Sequence, residues 1–328
     1  MKILILNEAQ VRELLPMAEC IQLMAEALKS LAAGEVHQPL RTIIRPPDAK
    51  GLLGLMSAYR GGDQPAMGLK AITVFPQNPA LGLDAHQGTV LLFNAETGEL
   101  EALINASAIT AIRTAAVSAV ATDLLARHEA TELTIIGAGV QARTHVRAIA
   151  CVRELVRARI VSRNPAHSRR CAEELAQEVS FVVEPAAEVS DALIGSDIVV
   201  TATSSLEPVL KYEWLPKGVH INAIGTHSPA SREIDTETMA NARVFVDSRE
   251  STINEAGDFL LAAAEGVLDE HSILAELGEL LSGTKQGRAT ASEITLFKSL
   301  GLAIEDVACA NYLYQEAQRN NVGTWVEY

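Results

Sequence analysis

A glycine-rich turn near the middle of the chain carries the strongest chemical signal in the sequence. The stretch LTIIGAGVQA joins an apolar run to the pattern Gly137-X-Gly139-X-X-Ala142. In this pattern the first glycine permits a tight turn, the second lets the backbone approach a pyrophosphate, and the alanine lets the next helix pack closely on the sheet. The start of that helix presents N–H groups and the positive end of its dipole. The sequence therefore predicts a dinucleotide site at Gly137, Gly139 and the start of the following helix.

The alternative is a glycine-rich turn that binds no ligand. A preceding strand, a following helix and a second strand at the expected distance all favour the dinucleotide. The second strand ends in Ser162-Arg163-Asn164, without the carboxylate that binds the ribose 2′-OH in NAD sites. Arg163 is suited to a bidentate bond with a 2′-phosphate. We expect NADP(H) to be preferred over NAD(H), unless Arg163 is only a solvated surface arginine.

Three cations of the N-terminal part are candidate substrate ligands. Lys70 lies inside the apolar strand GLKAITVF, Arg113 interrupts the apolar helix ITAIRTAA, and Arg41 follows Pro39 near a strand start. A lysine in such a strand is rarely buried without an anionic partner. Each cation is more often part of a structural ion pair when taken singly. Taken together, they suit a substrate carboxylate, which the planar fork of arginine recognises well.

The pattern of apolar residues divides the chain into two kinds of structure. MKILIL predicts a first strand, residues 14–33 predict a helix, and the proline- and glycine-broken runs up to residue 104 predict an antiparallel sheet. After an alanine-rich helix over residues 106–127, strands alternate with helices, which indicates a parallel sheet with right-handed crossovers. Residues 299–320 predict one amphipathic helix that folds back on the first domain. The expected fold class is α/β, a Rossmann-type doubly wound parallel sheet domain plus an α+β domain.

Composition and charge narrow the possible partners and the compartment. The 328 residues carry 27 Lys and Arg against 41 Asp and Glu, so the net charge is −14, which argues against a nucleic-acid partner. The four cysteines lie far apart without metal-ligand spacing, which favours a reduced compartment and no metal. MKILIL is too short for a signal peptide, and no stretch approaches 18 uncharged apolar residues. We expect a cytoplasmic protein with no membrane partner.

Five motifs together resemble the ornithine cyclodeaminase and mu-crystallin family: GLKAITVFP, TAIRTAA, IIGAGVQA, HINAIGTHSPASREID and TLFKSLGLAIED. The resemblance extends from about Arg41 to Ala308. It implies a homodimer with a substrate-binding and dimerisation domain at residues 1–115 and 304–328, and a dinucleotide-binding domain at 116–303. Known members are cyclodeaminases, an alanine dehydrogenase, reductases of cyclic ketimines and imino acids, and a hormone-binding lens crystallin.

The resemblance also assigns roles to single residues. Arg41 matches the family's carboxylate-binding arginine, Lys70 its active-site lysine and Arg113 its second substrate arginine. The cofactor would pass the strand end at Thr203, and its nicotinamide end would approach the region of Lys298. The full set of implied cofactor contacts is Arg113, Thr114, Gly137, Gly139, Val140, Gln141, Ser162, Arg163, Asn164, Thr203, Ser204 and Leu302.

One position departs from the family pattern. Cyclodeaminases and the alanine dehydrogenase carry a proton-transferring Asp where this sequence has His227, in GTHSP. Imidazole titrates near pH 6.5, and its cation would repel a substrate ammonium. A reduction of an imine instead needs a proton donor near nitrogen, which histidine suits. We expect Lys70 and His227 to be catalytic; the alternative for His227 is that it only packs or binds the cofactor.

These observations lead to one hypothesis with two alternatives. The leading one is an NAD(P)H-dependent reductase that turns a carboxylate-bearing imine or cyclic ketimine, such as pyrroline- or piperideine-2-carboxylate, into an amino acid. The first alternative is an ornithine cyclodeaminase with bound NAD, which forms proline and ammonia. The second is an NADPH-regulated protein of the mu-crystallin type that binds a small ligand without turnover.

Overall fold

The computed structural model describes residues 2–63 and 65–328, with the side chain of Pro79 left out. Two compact units make up the chain: Met1–Arg113 with Leu302–Tyr328, and Thr114–Gly301. Each boundary lies two residues before the position expected from the sequence. The first boundary falls inside a continuous helix, Ala106–Leu125, so no change of local pattern marks it in the sequence.

The strands and helices that the sequence predicts appear in the expected order, together with shorter elements that it does not predict. Up to the first boundary they are β1 (Lys2–Leu6), α1 (Glu8–Leu14), α2 (Met17–Ala32), β2 (Val36–His37), β3 (Thr42–Ile44), β4 (Leu52–Arg60), β5 (Ala66–Val74), β6 (His86–Phe93), β7 (Leu100–Asn105) and α3 (Ala106–Leu125). The expected single helix over residues 14–33 is wrong at its start. Pro16 separates α1 from α2 and forms the N-cap of α2, because proline has no N–H to continue a helix.

The second unit and the returning segment complete the chain. The second unit contains β8 (Glu132–Ile136), α4 (Val140–Ala150), β9 (Arg157–Val161), α5 (Pro165–Ala176), β10 (Val182–Ala186), α6 (Val189–Ala192), β11 (Ile198–Thr201), β12 (His220–Ala223), α7 (Thr236–Asn241), β13 (Arg243–Val246), α8 (Arg249–Glu255), α9 (Gly257–Ala264), β14 (Ile273–Glu276), α10 (Leu277–Leu281) and β15 (Thr295–Lys298). The returning segment forms α11 (Ala303–Asn320) and β16 (Thr324–Glu327).

The sheet of the first unit has the strand order β16-β1-β7-β6-β5-β4-β2, with β3 paired to β4. Strands β4 to β7 are antiparallel, as the sequence predicts. Side chains alternate between two faces, and α11 packs against β4, β5 and β6. The covered face carries the buried residues Met56, Lys70, Val90 and Ile104. The opposite face carries half-buried leucines, namely Leu53, Leu55, Leu69, Leu91 and Leu103.

The second unit is a wholly parallel sheet with the strand order β10-β9-β8-β11-β12-β15-β13-β14. The five strands β10-β9-β8-β11-β12 follow the Rossmann order. The chain first places β9 and β10 on one side of β8 and then continues with β11 and β12 on the other side, so the strand order switches between β8 and β11. Separate apolar clusters lie on its two faces, one around Ile135 and Ile160 and the other around Val199 and Phe259. The predicted fold class is confirmed.

Among the described residues, α3 is the one helix long and apolar enough to cross a membrane. Of its most apolar window, 78% is buried inside the protein, as is typical of a core helix. Arg113, near the middle of this helix, is also buried.

Candidate active site

The predicted phosphate-binding turn forms at the carboxyl end of β8. Gly137 has a φ of +127°, and a Cβ there would lie 2.4 Å from the carbonyl oxygen of Ala202, so only glycine fits. Gly139 is the N-cap of α4, and in the described part of the chain no side chain caps this end. A Cβ on Gly139 would meet nothing within 4 Å. The open space in front of the N–H groups of α4 fits a diphosphate.

The residues after β9 are arranged around the start of α5. Asn164 accepts a hydrogen bond from the backbone N–H of Ala166 at 3.0 Å and so caps the helix. The hydroxyl of Ser162 donates to the carbonyl oxygen of Asn164 at 2.8 Å. Arg163 is exposed and makes no hydrogen bond or ion pair with the residues that the structure describes. Its guanidinium is therefore available to an anion at this strand end.

Two of the three predicted cations of the first unit, Lys70 and Arg113, meet two carboxylates of α11. The ammonium of Lys70 is 2.5 Å from Oδ2 of Asp306. The guanidinium of Arg113 donates to Oε2 of Glu305 at 2.7 Å and to Oδ1 of Asp306 at 3.3 Å. All four side chains are at least 94% buried. The ion pairs considered as an alternative from the sequence are thus present, and they bring Lys70 and Arg113 to one carboxylate.

Sequence reasoning missed Glu305 and Asp306. The signal was available, because two adjacent carboxylates interrupt an otherwise apolar helical stretch, LGLAIEDVACA. Carboxylates on the buried side of a helix need cationic partners. Lys70 and Arg113, the two cations in apolar segments of the same domain, are the natural candidates.

The electrostatic environment distinguishes Lys70 from an ordinary lysine. The pKa of Lys70 is lowered to about 8, mainly by burial; Asp306 opposes this shift by its charge and hydrogen bond, and the charges of Arg113 and Arg41 contribute to it. An ammonium has three N–H donors. Within the described residues Lys70 directs its charge to a single partner, Asp306. Two of the three N–H donors of this buried ammonium are thus left for a ligand. The charge of Arg41 also lowers the pKa of Lys70.

The remaining predicted residues occupy strand ends and helix ends. Thr203, after β11, donates through both its backbone N–H and its hydroxyl to Glu233 at 2.7 Å, whereas the neighbouring Ser204 is exposed. His227 is exposed in the loop after β12. Two further predicted contacts, Leu302 at the N-cap of α11 and Thr114 next to Arg113, are buried.

A Rossmann-type sheet with an open glycine turn, accompanied by an α+β unit that buries a group of cations, defines a two-unit dinucleotide-binding protein. The chain belongs to the ornithine cyclodeaminase/mu-crystallin family, whose model matches residues 1–321. The resemblance inferred from the five motifs is therefore confirmed.

Two relatives and two solved structures are similar to this chain over most of its length. The Δ(1)-pyrroline-2-carboxylate reductase of Bacillus cereus is 37% identical over 99% of this chain and 100% of its own. The ketimine reductase mu-crystallin of Mus musculus is 40% identical over 86% and 85%. The Thermococcus litoralis Δ(1)-pyrroline-2-carboxylate reductase, solved with NADH and L-proline, has a TM-score of 0.96 at 39% identity, covering 98% and 99%. An archaeal alanine dehydrogenase dimer with bound NAD has a TM-score of 0.94 at 31% identity, covering 100% of both chains.

Proposed function

We propose that this protein is an NAD(P)H-dependent reductase of a carboxylate-bearing imine, with Δ1-pyrroline-2-carboxylate and its six-membered homologue as the substrate class. The observation that carries the proposal is Lys70, a buried ammonium with one described partner and a pKa lowered to about 8. The names of the relatives at 37% and 40% identity support the same class of reaction. So does the L-proline bound in the structure at 39% identity.

The first unit would hold the substrate. Arg41 and Arg113 favour the carboxylate by their charge, and Lys70 offers its remaining N–H donors in a buried site where such bonds are strong. With a pKa of about 8, Lys70 carries a proton near neutral pH and releases it more readily than an ordinary lysine. It is therefore suited to protonate the imine nitrogen. The role of His227 as a second proton donor stays a prediction.

The second unit would hold the cofactor. Gly137, Gly139 and the N–H groups at the start of α4 would bind the diphosphate, as the open turn allows. A bound nicotinamide cofactor supplies the hydride that reduces the imine carbon. The relatives solved with a cofactor hold NADH or NAD. For this chain we propose a preference for NADPH, supported by the available Arg163 and by the lack of a carboxylate after β9.

A homodimer is the assembly that we propose, in a cytoplasmic setting. The half-buried face of the first sheet supports the dimer, because Leu69, Leu91 and Leu103 lie side by side across three strands. Apolar side chains at that density are typical of a surface that a second subunit covers. Light scattering of the purified protein tests the assembly, and a monomer at micromolar concentration would contradict it.

The function is tested by mixing the protein with pyrroline- or piperideine-2-carboxylate and following the oxidation of NADPH and of NADH. We expect steady consumption of the reduced cofactor and formation of proline or pipecolate. Ammonia released from ornithine without net NAD reduction would instead identify a cyclodeaminase. Stabilisation by ligands without any consumption of cofactor would identify a binding protein of the crystallin type.

A further inference from the structure

Glu233 is a buried carboxylate that ties together the carboxyl ends of β11 and β12. Its Oε1 accepts from the backbone N–H and the hydroxyl of Thr203, both at 2.7 Å. Its Oε2 accepts from the hydroxyl of Thr201 at 2.9 Å and from the backbone N–H of Gly225 at 2.8 Å. An ionised carboxylate offers about four lone-pair sites. The four donors, two from each side of the carboxylate, occupy all of them.

The two strand ends that Glu233 joins are in van der Waals contact. A Cβ on Gly225 would lie 2.2 Å from the carbonyl oxygen of Thr203 and 2.5 Å from Oε1 of Glu233. The position therefore requires glycine. The carboxylate of Glu233 and the backbone at Thr203 and Gly225 thus pack closely against one another.

A second carboxylate fixes the backbone that carries Glu233. Oδ1 of Asp258, on α9, accepts from the backbone N–H groups of Glu233 at 2.7 Å and Ile234 at 2.9 Å. Its Oδ2 accepts from the hydroxyl of Thr226 and from the ammonium of Lys298, each at 2.8 Å. Asp258 consequently fixes the main chain of Glu233, while the side chain of Glu233 fixes the backbone at Thr203 and Gly225.

This network lies at the carboxyl ends of β11 and β12, at the edge of the sheet where a dinucleotide binds. In a sheet of this order a dinucleotide crosses between the first and fourth strands, with the adenosine half over the second strand. These strands are β8, β11 and β9 here. The nicotinamide half then falls at the carboxyl ends of β11 and β12, which are the two segments that Glu233 joins. The backbone N–H of Ile224 already pairs with the carbonyl oxygen of Thr201 at 3.0 Å, so the four hydrogen bonds of Glu233 are additional to the sheet pairing.

We infer that Glu233 is a positioning residue, whose side chain holds the backbone at Thr203 and Gly225 in the arrangement that receives the nicotinamide half of the cofactor. The inference rests on the proposed function insofar as that function requires a nicotinamide cofactor. Glu233 itself touches neither substrate nor cofactor in this role, since its four acceptor sites are used inside the protein.

Glu233→Gln is the discriminating substitution. Each carboxylate oxygen faces a backbone N–H, from Thr203 on one side and Gly225 on the other. Whichever way the glutamine amide turns, its NH₂ group meets a backbone N–H donor. The volume of the side chain is nearly unchanged, so the substitution removes the clamp without leaving a cavity.

Asp197→Asn is the matched control. Oδ2 of Asp197 accepts from the backbone N–H groups of Thr131 at 2.9 Å and Glu132 at 3.1 Å, and Oδ1 pairs with Arg127. It therefore joins neighbouring segments just as Glu233 does, but at the amino ends of β8 and β11. A loss of stability common to both variants is thereby separated from an effect on the cofactor site.

The experiment measures the dissociation constants of NADH and NADPH by fluorescence titration, together with the melting temperature and the hydrogen exchange of the cofactor-free proteins. For Glu233→Gln we expect cofactor binding at least about tenfold weaker, because displacement of the backbone at Thr203 and Gly225 misplaces the groups that receive the cofactor, and faster exchange at the amides of both residues. For Asp197→Asn we expect a similar loss in melting temperature with a dissociation constant within about twofold of wild type.

Unchanged cofactor binding in a folded Glu233→Gln protein would overturn the inference. If that variant does not fold, Thr201→Val removes one of the four bonds from a fully buried side chain at the last residue of β11. Cofactor binding about threefold or more weaker then supports the inference, and binding equal to wild type overturns it. A wild-type protein that binds neither NADH nor NADPH refutes the proposed function instead, so the two failures are distinct.

Discussion

Lys70 in the first unit and Lys298 in the second are both buried lysines that pair with an aspartate. Lys298 is fully buried, and its ammonium donates to Oδ2 of Asp258 at 2.8 Å and to the carbonyl and hydroxyl oxygens of Thr226 at 2.8 and 3.1 Å. Lys70 is equally buried but, within the described residues, pairs with Asp306 alone. The ammonium of Lys298 thus has three acceptors inside the protein, whereas that of Lys70 has one described partner.

The difference separates Lys298, whose ammonium is satisfied inside the protein, from Lys70, for which we propose a function. Burial of a cation is costly, and three internal acceptors compensate it at Lys298 without any ligand. At Lys70 the compensation is incomplete, and the lowered pKa reflects burial and the two nearby guanidinium groups. A carboxylate ligand would complete it. Burial alone therefore does not single out Lys70 from Lys298; the unused donors of Lys70 do, and they are the ground for its proposed role.

The largest expected effect is that of Lys70→Met on activity. The substitution keeps most of the apolar stem, and Asp306 retains its bond with Arg113, so the fold should survive. We expect kcat/KM for a carboxylate-bearing imine to fall at least about a hundredfold, as for the loss of one preorganised electrostatic contact. Steady-state kinetics and the melting temperature measure both effects. Activity within a few-fold of wild type, together with a clearly lower melting temperature, would make Lys70 structural, like Lys298.

Lys298→Met should show the opposite balance, with stability as the main loss. Asp258 would keep its backbone bonds but lose its only described cationic partner, leaving an uncompensated buried charge. Breaking such a pair costs about 3–5 kcal/mol. Urea unfolding measures the free energy of unfolding, with Lys70→Met as the comparison. A loss below about 1 kcal/mol at Lys298 would show that the aspartate is satisfied by its hydrogen bonds alone.

The pH dependence tests Lys70 without removing it. Because the ammonium is the active form and its pKa is about 8, kcat/KM for imine reduction should fall as pH rises above 8, by about tenfold per unit. Asp306 raises the pKa of Lys70, so Asp306→Asn should move this decline to lower pH. A profile that stays flat to pH 9.5 would exclude Lys70 as the group that must be protonated.

The same pKa shift has a consequence for stability. Between pH 8 and 10.5 the unfolded chain binds the lysine proton while the folded chain has released it. The contribution of Lys70 to stability should therefore rise with pH in this window. Lys70→Met should remove that rise, which urea unfolding at pH 8 and pH 10 measures. An equal rise in wild type and variant would assign it to other groups.

The smallest expected effect concerns the choice of cofactor, in the second unit only. Arg163→Asp removes the proposed partner of the 2′-phosphate and adds a carboxylate where NAD sites have one. The ratio of kcat/KM for NADPH to that for NADH should fall about tenfold or more, as for one charge-assisted bond. Activity with NADH serves as the internal control. A wild-type protein that already favours NADH would refute the proposed preference.

The two candidate sites, one in each unit, differ in how far the sequence predicts them. The turn at Gly137 and Gly139 is local, since a strand, three small residues and a helix lie within ten positions, and its geometry formed as predicted. The cation cluster is not local. Asp306 lies more than 200 positions from Lys70 along the chain, and only the packing of α11 on β5 brings them together. No periodicity within either segment specifies that contact.

The sequence by itself determined the order of strands and helices, the dinucleotide turn and the family, because these follow from local patterns of apolar residues, glycine and proline. The tertiary structure decided which buried charges meet. Lys70 pairs with Asp306, Arg113 with Glu305, and Lys298 with Asp258. The reason is that a buried charge is stabilised by whatever lies within a few ångströms of it, and that neighbourhood exists only after distant segments have packed. The functional distinction between Lys70 and Lys298 therefore belongs to the folded protein.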